Sequence, residues 1–324
     1  MLRTTDRAAM TRYLFPSVGL IFFLSCATKG PSGPDPSASD VQLDPPPQGQ
    51  GVQLAIPPFS VPQGDEVQRN YFMTLPSDSD LYVTRVEFRY NEGSHHCNVF
   101  KSDSLTMPEG TFTETFITLD YTKWDMFTAS QREAFTWQLP PGVAIYLKAH
   151  QQICIQTHYV NASTQETPTA RGKVLLNLWS MPASEVTSVA GLLFASNTRI
   201  ILPPGSIDTV RKFVVKIPWD INILTLTGHF HSRGRNFWAV RFTTGEEFYR
   251  NVSWDEPPIK VFPDMGYPLI RNEQIVYYSD YYNASADTVY MGPHVENQEH
   301  SNLFMVYWPG PANGKTIYDV DQGW

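Results

Sequence analysis

Cysteine is scarce in this chain of 324 residues: the three present, Cys26, Cys97 and Cys154, are too few for a scaffold held by many disulfides. Charge is scarce too. Only 17% of residues are charged, and 24 lysines and arginines against 32 aspartates and glutamates give a formal net charge of −8. That balance argues against nucleic acid as a partner, because it offers no basic excess to phosphates. No stretch keeps a 3.6-residue apolar period, so helix is expected to be a minor component, with Tyr121 to Phe135 the one segment that has room for a helical turn.

The apolar run Tyr13 to Leu24 is too short to cross a bilayer as a stable helix. With Arg12 before it and Ser25-Cys26 after it, the pattern is that of a bacterial signal peptide ending at a lipoprotein-type cysteine. Residues 1–25 are therefore expected to be a signal, and Cys26 the lipidation site. An uncleaved anchor helix places the chain in the same extracytoplasmic compartment, and a start at Met10 changes only the length of the signal. Cleavage removes Arg3, Arg7 and Arg12 with Asp6, taking the net charge to about −10. Residues 26–50, with prolines at 31, 34, 36, 45, 46 and 47, lack the apolar content for a core and read as a tether. The expected location is the bacterial cell envelope, in the periplasm or at the outer membrane, with the membrane reached through the lipid anchor.

From residue 51 onward, alternating or short apolar runs such as Tyr82 to Tyr90, Val143 to Leu147 and Phe213 to Ile217 recur between Pro, Gly and Asn clusters. This is an all-β rhythm. The segment Trp179 to Thr187 breaks it, and places a boundary between domains at 51–182 and 183–324. Each half suits an antiparallel sandwich with Greek-key or jelly-roll connections, so the expectation is two tandem jelly rolls.

Six of the eight histidines sit in strand-like settings. His229 and His231, in Leu226-Thr-Gly-His-Phe-His-Ser-Arg-Gly-Arg235, share a face if the backbone is extended, and two imidazoles so placed can grip one metal ion. His95 and His96 form an adjacent pair before Cys97, His158 ends the run Ile153-Cys-Ile-Gln-Thr-His158, and His300 follows Glu299. In extended strands Cys97 lies on the side of His95, and Cys154 on the side of His158, so a Cys97–Cys154 disulfide is possible in an oxidising compartment, as is a part for either thiol in the site. His150 and His294 read as solvated or hydrogen-bonded histidines. The tyrosines of Tyr277 to Tyr282 read as half-buried strand. Asn161-Ala-Ser and Asn283-Ala-Ser match glycosylation sequons only formally.

The order of these motifs resembles the copper type II, ascorbate-dependent monooxygenases, the family of peptidylglycine α-hydroxylating monooxygenase and dopamine β-monooxygenase. The likeness covers nearly everything after the tether. It rests on His95-His96-Cys97, on Pro140-Pro-Gly-Val-Ala-Ile-Tyr-Leu147 running into Ile155-Gln-Thr-His-Tyr-Val-Asn161, and on His229-Phe-His231 with Gly234-Arg235 behind it. The resemblance implies two copper ions. An electron-donating one would sit on His95, His96 and His158 of the first domain, and the one that reacts with O2 and substrate on His229, His231 and His300 of the second. Ascorbate or another one-electron reductant would be the co-substrate, and a small molecule the substrate.

Three positions depart from the family. His300 stands where the family has its methionine, and nearby Met305 has the wrong strand parity to replace it. Nitrogen in place of a thioether makes a site less selective for Cu(I) and more hospitable to Cu(II) or zinc. Of the family's three anchors for a substrate carboxylate, Asn302 is kept, while Thr227 and Phe304 replace an arginine and a tyrosine, so the cation is gone. Two other classes of function therefore stand beside the monooxygenase: a copper-binding or electron-transfer lipoprotein without oxygenation, and a hydrolytic zinc site, for which no general base is visible in the sequence.

Overall fold

The computed structural model describes residues 40–114, 120, 123–161, 170–254, 257–292, 294 and 297–320. The signal segment, Cys26 and the tether up to residue 39 lie outside the described residues. Residues 40–44, expected to be free tether, are instead laid along the first sandwich: Asn91 accepts from the Val41 amide, Lys173 donates to the Val41 carbonyl, and Asn177 donates to that of Asp44. Side chains that reach the backbone in this way order a segment that has no core of its own.

The protein is all-β. Eight strands, β1 (Gly51–Val61), β2 (Glu66–Thr74), β3 (Leu81–Tyr90), β4 (Ser94–Ser102), β5 (Asp125–Ser130), β6 (Val143–Leu147), β7 (Gln152–Val160) and β8 (Ala170–Met181), build the first sandwich. Its two sheets run in the order β1-β8-β3-β6 and β2-β7-β4-β5, which is jelly-roll connectivity. Alternation fills the space between them. Val83, Val86, Phe88 and Tyr90 of β3 meet Cys97 and Val99 of β4 and Ile153 and Ile155 of β7 in one core.

The second sandwich repeats the plan with β9 (Gly191–Ser196), β10 (Ile207–Lys216), β11 (Ile221–His229), β12 (Gly234–Arg241), β13 (Glu247–Asn251), β14 (Tyr267–Leu269), β15 (Gln274–Tyr282) and β16 (Asn302–Trp308). The sheet orders are β9-β16-β11-β14 and β10-β15-β12-β13, around a core that holds Leu226, Phe230, Phe237, Tyr277 and Met305. Between the sandwiches the chain makes a short 3-10 turn, Ala183–Glu185, and Ser188–Val189 still pairs in parallel with Val143–Ala144 of β6 before β9 begins.

In the described part of Tyr121 to Phe135 the helical turn is limited to one, where the amides of Lys123 and Trp124 both donate to the Asp120 carbonyl, and strand follows from Asp125. Trp124 and Met126 are buried in one cluster and Phe127 in another, so successive side chains enter the two layers on either side of β5. A strand between two layers does this, and pairing with β4 overrides the local ambiguity.

The outer face of β2-β7-β4-β5 packs on that of β9-β16-β11. Phe72, Phe100, Trp124, Met126 and Cys154 bury against Leu192 and Phe194. The C-terminal strand Ile317–Val320, added beside β9, fastens the joint: the Tyr318 hydroxyl accepts from the Met126 amide at 2.7 Å and donates to the Trp124 carbonyl at 2.9 Å. This docking positions the site.

Cys97 and Cys154 are free thiols. Cys97 is paired with Thr157 on β7, an odd number of residues from Cys154, so the two side chains leave opposite faces of the sheet, one into the first core and the other into the interface. That arrangement rules out the disulfide considered from sequence.

Candidate metal centre

The three histidines of the first sandwich meet where β4 and β7 pair. His96 lies opposite His158, but Ser94 is already opposite Tyr159, so β4 carries one extra residue there, His95. Neighbouring residues of a regular strand point to opposite faces, and the bulge turns two adjacent imidazoles toward one point. The Nδ1 atoms of His95 and His96 stand 3.2 Å apart. Two nitrogens bound about 2.0–2.1 Å from one metal at a tetrahedral angle would be separated by roughly 3.3 Å. His158 directs Nε2 at the Glu66 carboxylate, 2.6 Å away, which leaves Nδ1 for a metal.

The second triad forms at the end of β11. Phe230 enters the core while His229 and His231 on either side of it point out, as alternation requires. Room for that phenyl ring comes from Gly234, where a Cβ would lie 2.0 Å from it. The ring centroids of His229 and His231 are 5.2 Å apart, and His300 lies 5.5 and 4.3 Å from them. Within each triad, one ligand atom per histidine falls inside a span of 4.8 Å. Met305 points into the core of the second sandwich beside Leu226 and Leu193, its neighbours in register.

A buried carboxylate not identified from sequence organises the second triad. Glu299 accepts hydrogen bonds from the backbone amides of His231, Arg233 and His300, at 2.8, 2.7 and 3.3 Å, and so joins the His-x-His turn to the third ligand. Burial raises its pKa to about 7, against the pull of those amides. The neighbouring Gln298 carbonyl accepts from Nδ1 of His231 at 3.0 Å, leaving Nε2 for a metal. Tyr281 donates to the His300 carbonyl at 2.7 Å, and Tyr277 to that of Ser301 at 3.2 Å. Two of the strand tyrosines thus anchor the backbone of the third ligand and of the residue after it.

Gln131 crosses the joint, with its side-chain amide 2.8 Å from Nδ1 of His229. Trp254 stacks on His95 at 6.0 Å between ring centres. Neither residue carried a signal in the sequence, because each acquires its partner only when the two sandwiches dock.

The remaining sequence candidates separate cleanly. Thr227 and Phe304 face each other across β11 and β16 and line, with Gln131, an interdomain cavity of about 50 Å³. Asn302 is opposite His229, and its side-chain Oδ1 accepts from the Ser196 hydroxyl at 2.7 Å. His150 is on the surface beside Asp78. His294 belongs to the turn before Gln298, whose amide donates to its carbonyl. Asn161 and Asn283 are buried and donate to backbone carbonyls, so neither asparagine is presented to solvent.

Neither a protein-family model nor a curated protein matches the chain. Among solved structures it is similar to the cowpea mosaic virus top component, a naturally occurring empty particle, at 9% identity and a TM-score of 0.28 over 83% of this chain and 94% of that one. It is also similar to the structure of the infectious bursal disease virus Gx strain, at 10% identity and a TM-score of 0.20 over 88% and 77%. At these scores the likenesses carry no inference about function.

The imidazoles are held in the neutral form that a metal ion requires. Burial is the first cause that lowers the pKa of His95 to about 3, of His300 to about 4, and of His96, His229 and His231 well below the ordinary value, with neighbouring imidazoles adding to it. All five are neutral at pH 7, as metal ligands must be, with no proton to displace. The buried His95 Nε2 and His300 Nδ1 have no hydrogen-bond partner.

The same shifts set an acid limit for the metal-free protein. Between the unfolded histidine value of about 6.5 and the depressed folded values, the unfolded chain binds more protons, so stability is full above that window and falls as pH drops from about 6.5 toward 4. Glu299, raised in the fold, acts in the opposite sense, but as one group against five. Thermal unfolding of metal-free protein at pH 7, 6 and 5 should show a Tm that declines stepwise. A flat profile would contradict neutral, buried imidazoles.

Proposed function

We propose that the chain is a copper-dependent monooxygenase, which hydroxylates a C–H bond with O2 and a one-electron reductant such as ascorbate. The supporting observation is the pair of three-histidine clusters, one on each jelly roll, meeting beside an interdomain cavity. His95, His96 and His158 would hold one copper, and His229, His231 and His300 the other. Bound copper would supply one-electron redox chemistry and reaction with O2. In the balanced reaction one oxygen atom enters the C–H bond, the other leaves as water, and the reductant provides two electrons and two protons.

The surrounding residues hold this arrangement. Glu66 and the Gln298 carbonyl orient the rings of His158 and His231, Glu299 fixes the backbone of the second triad, and Gln131 braces His229 from the other sandwich. The cavity's described lining, which includes Phe135, Trp137, Thr225, Thr227 and Phe304, is uncharged, so the reading favours a neutral substrate over a carboxylate.

Metal analysis after copper reconstitution and desalting should find about two equivalents per chain, from two sites of three nitrogens. A value that stays near one would rule out the two-site reading. A second reading, an electron-transfer or copper-binding protein, is favoured by the all-nitrogen second triad with Met305 turned into the core. Reductant-dependent O2 consumption with a hydroxylated product separates the two.

The envelope location is part of the proposal. Acyl chains on Cys26 would hold the mature protein at the membrane, and among the described residues no helix is long and apolar enough to cross one. Cys26→Ser should abolish lipid labelling and signal cleavage. Labelled, processed protein from that variant would exclude Cys26 as the anchor.

A further inference from the structure

The two triads are in contact. His95 of the first is 5.4 Å, ring centre to ring centre, from both His96 and His158, and only 5.6 and 6.1 Å from His229 and His231 of the second. His96 approaches His229 to 6.4 Å. Separations inside the second triad run from 4.3 to 5.5 Å, so the gap between triads is scarcely wider than the spacing within one. The bulge at His95 carries its ring toward the other sandwich, and Trp254 stacks on it from that sandwich.

We propose that the six imidazoles form one dinuclear centre, in which two metal ions lie close enough to share a bridging ligand and to couple magnetically. The inference rests on the reading that both triads hold copper. The donor set supports it as strongly as the distances. With His300 as third ligand each ion has three imidazole nitrogens and no thioether, so the two positions are chemically alike, and nothing in the ligands biases one ion toward Cu(I). Among the described residues, the carboxylates that meet the triads are engaged: Glu66 faces Nε2 of His158, and Glu299 faces backbone amides. A bridging position would be left to solvent or to an oxygen-donor ligand. The pair would then exchange electrons directly, without the transfer across open solvent that two isolated sites on separate domains require.

The test is to load the full mature chain with Cu(II), count copper by elemental analysis, and integrate the electron paramagnetic resonance signal of the same sample. Two coppers with less than half of the expected spin, together with a His95→Ala variant that returns one full spin for each copper it retains, is the predicted result. Circular dichroism and thermal unfolding of that variant verify that it is folded. Two coppers in the wild-type protein that integrate to two full, independent spins would overturn the dinuclear centre and leave the two-copper reading standing. Failure of the wild-type protein to hold two coppers would overturn that reading, and the inference with it.

Discussion

His229→Ala is expected to lose second-site copper and all O2-dependent product, whereas His95→Ala should retain second-site copper but fail to turn over repeatedly. The two variants differ because His229 is one of three ligands where substrate meets the metal, while His95 belongs to the cluster that passes electrons on. Removing one of three imidazoles leaves a two-nitrogen site, and rate losses of at least 10³-fold are on the scale of removing an essential catalytic group. Copper per chain, single-turnover product and steady-state O2 consumption distinguish the cases. If His95→Ala turned over like the wild-type protein, the first triad would have no part in catalysis. A screen across amines, phenylalkyl compounds and peptides in the same assay should show little activity on glycine-extended peptides, because Thr227 and Phe304 offer no cation to a carboxylate. Efficient amidation of such a peptide would refute the neutral-substrate reading but uphold the reaction class.

The second large effect separates His300 from Met305. His300→Ala should empty the second site, and X-ray absorption of the Cu(I) wild-type protein should lack a sulfur shell. Met305→Leu should keep its copper, since it exchanges apolar side chains of similar volume in a core where Met305 is 0% exposed, at a cost typically below about 1.5 kcal/mol. Loss of copper on Met305→Leu, with copper retained on His300→Ala, would assign the ligand to Met305. Glu299→Ala offers a graded companion: three amides lose their acceptor, and second-site copper affinity should fall about 10–100-fold, the range seen when groups that orient metal ligands are removed.

Much of the fold was legible without coordinates. Period-two alternation, as in Leu81–Tyr90, needs only that one side chain in two meets the core, and turn residues between such runs delimit strands. His-x-His was equally open to reading, because it follows from the same parity. Less legible was His95-His96, since parity alone sends adjacent residues to opposite faces, and only the bulge against β7 brings both rings to one point.

What the sequence determined by itself was local: an all-β chain, two runs of strands, and the residue types able to bind a metal. Tertiary structure decided everything that depends on long-range register. Cys97 and Cys154 were divided between two faces of one sheet, a result that hinges on which residue of β4 lies opposite which of β7. Glu299 became the joint between His231 and His300, although a lone glutamate in sequence reads as a surface charge. Gln131, Trp254 and the approach of His95 to His229 exist only because one sandwich lies against the other. Apolar packing of Phe72, Phe100 and Trp124 on Leu192 and Phe194 sets that docking, and with it whether six histidines make two sites or one.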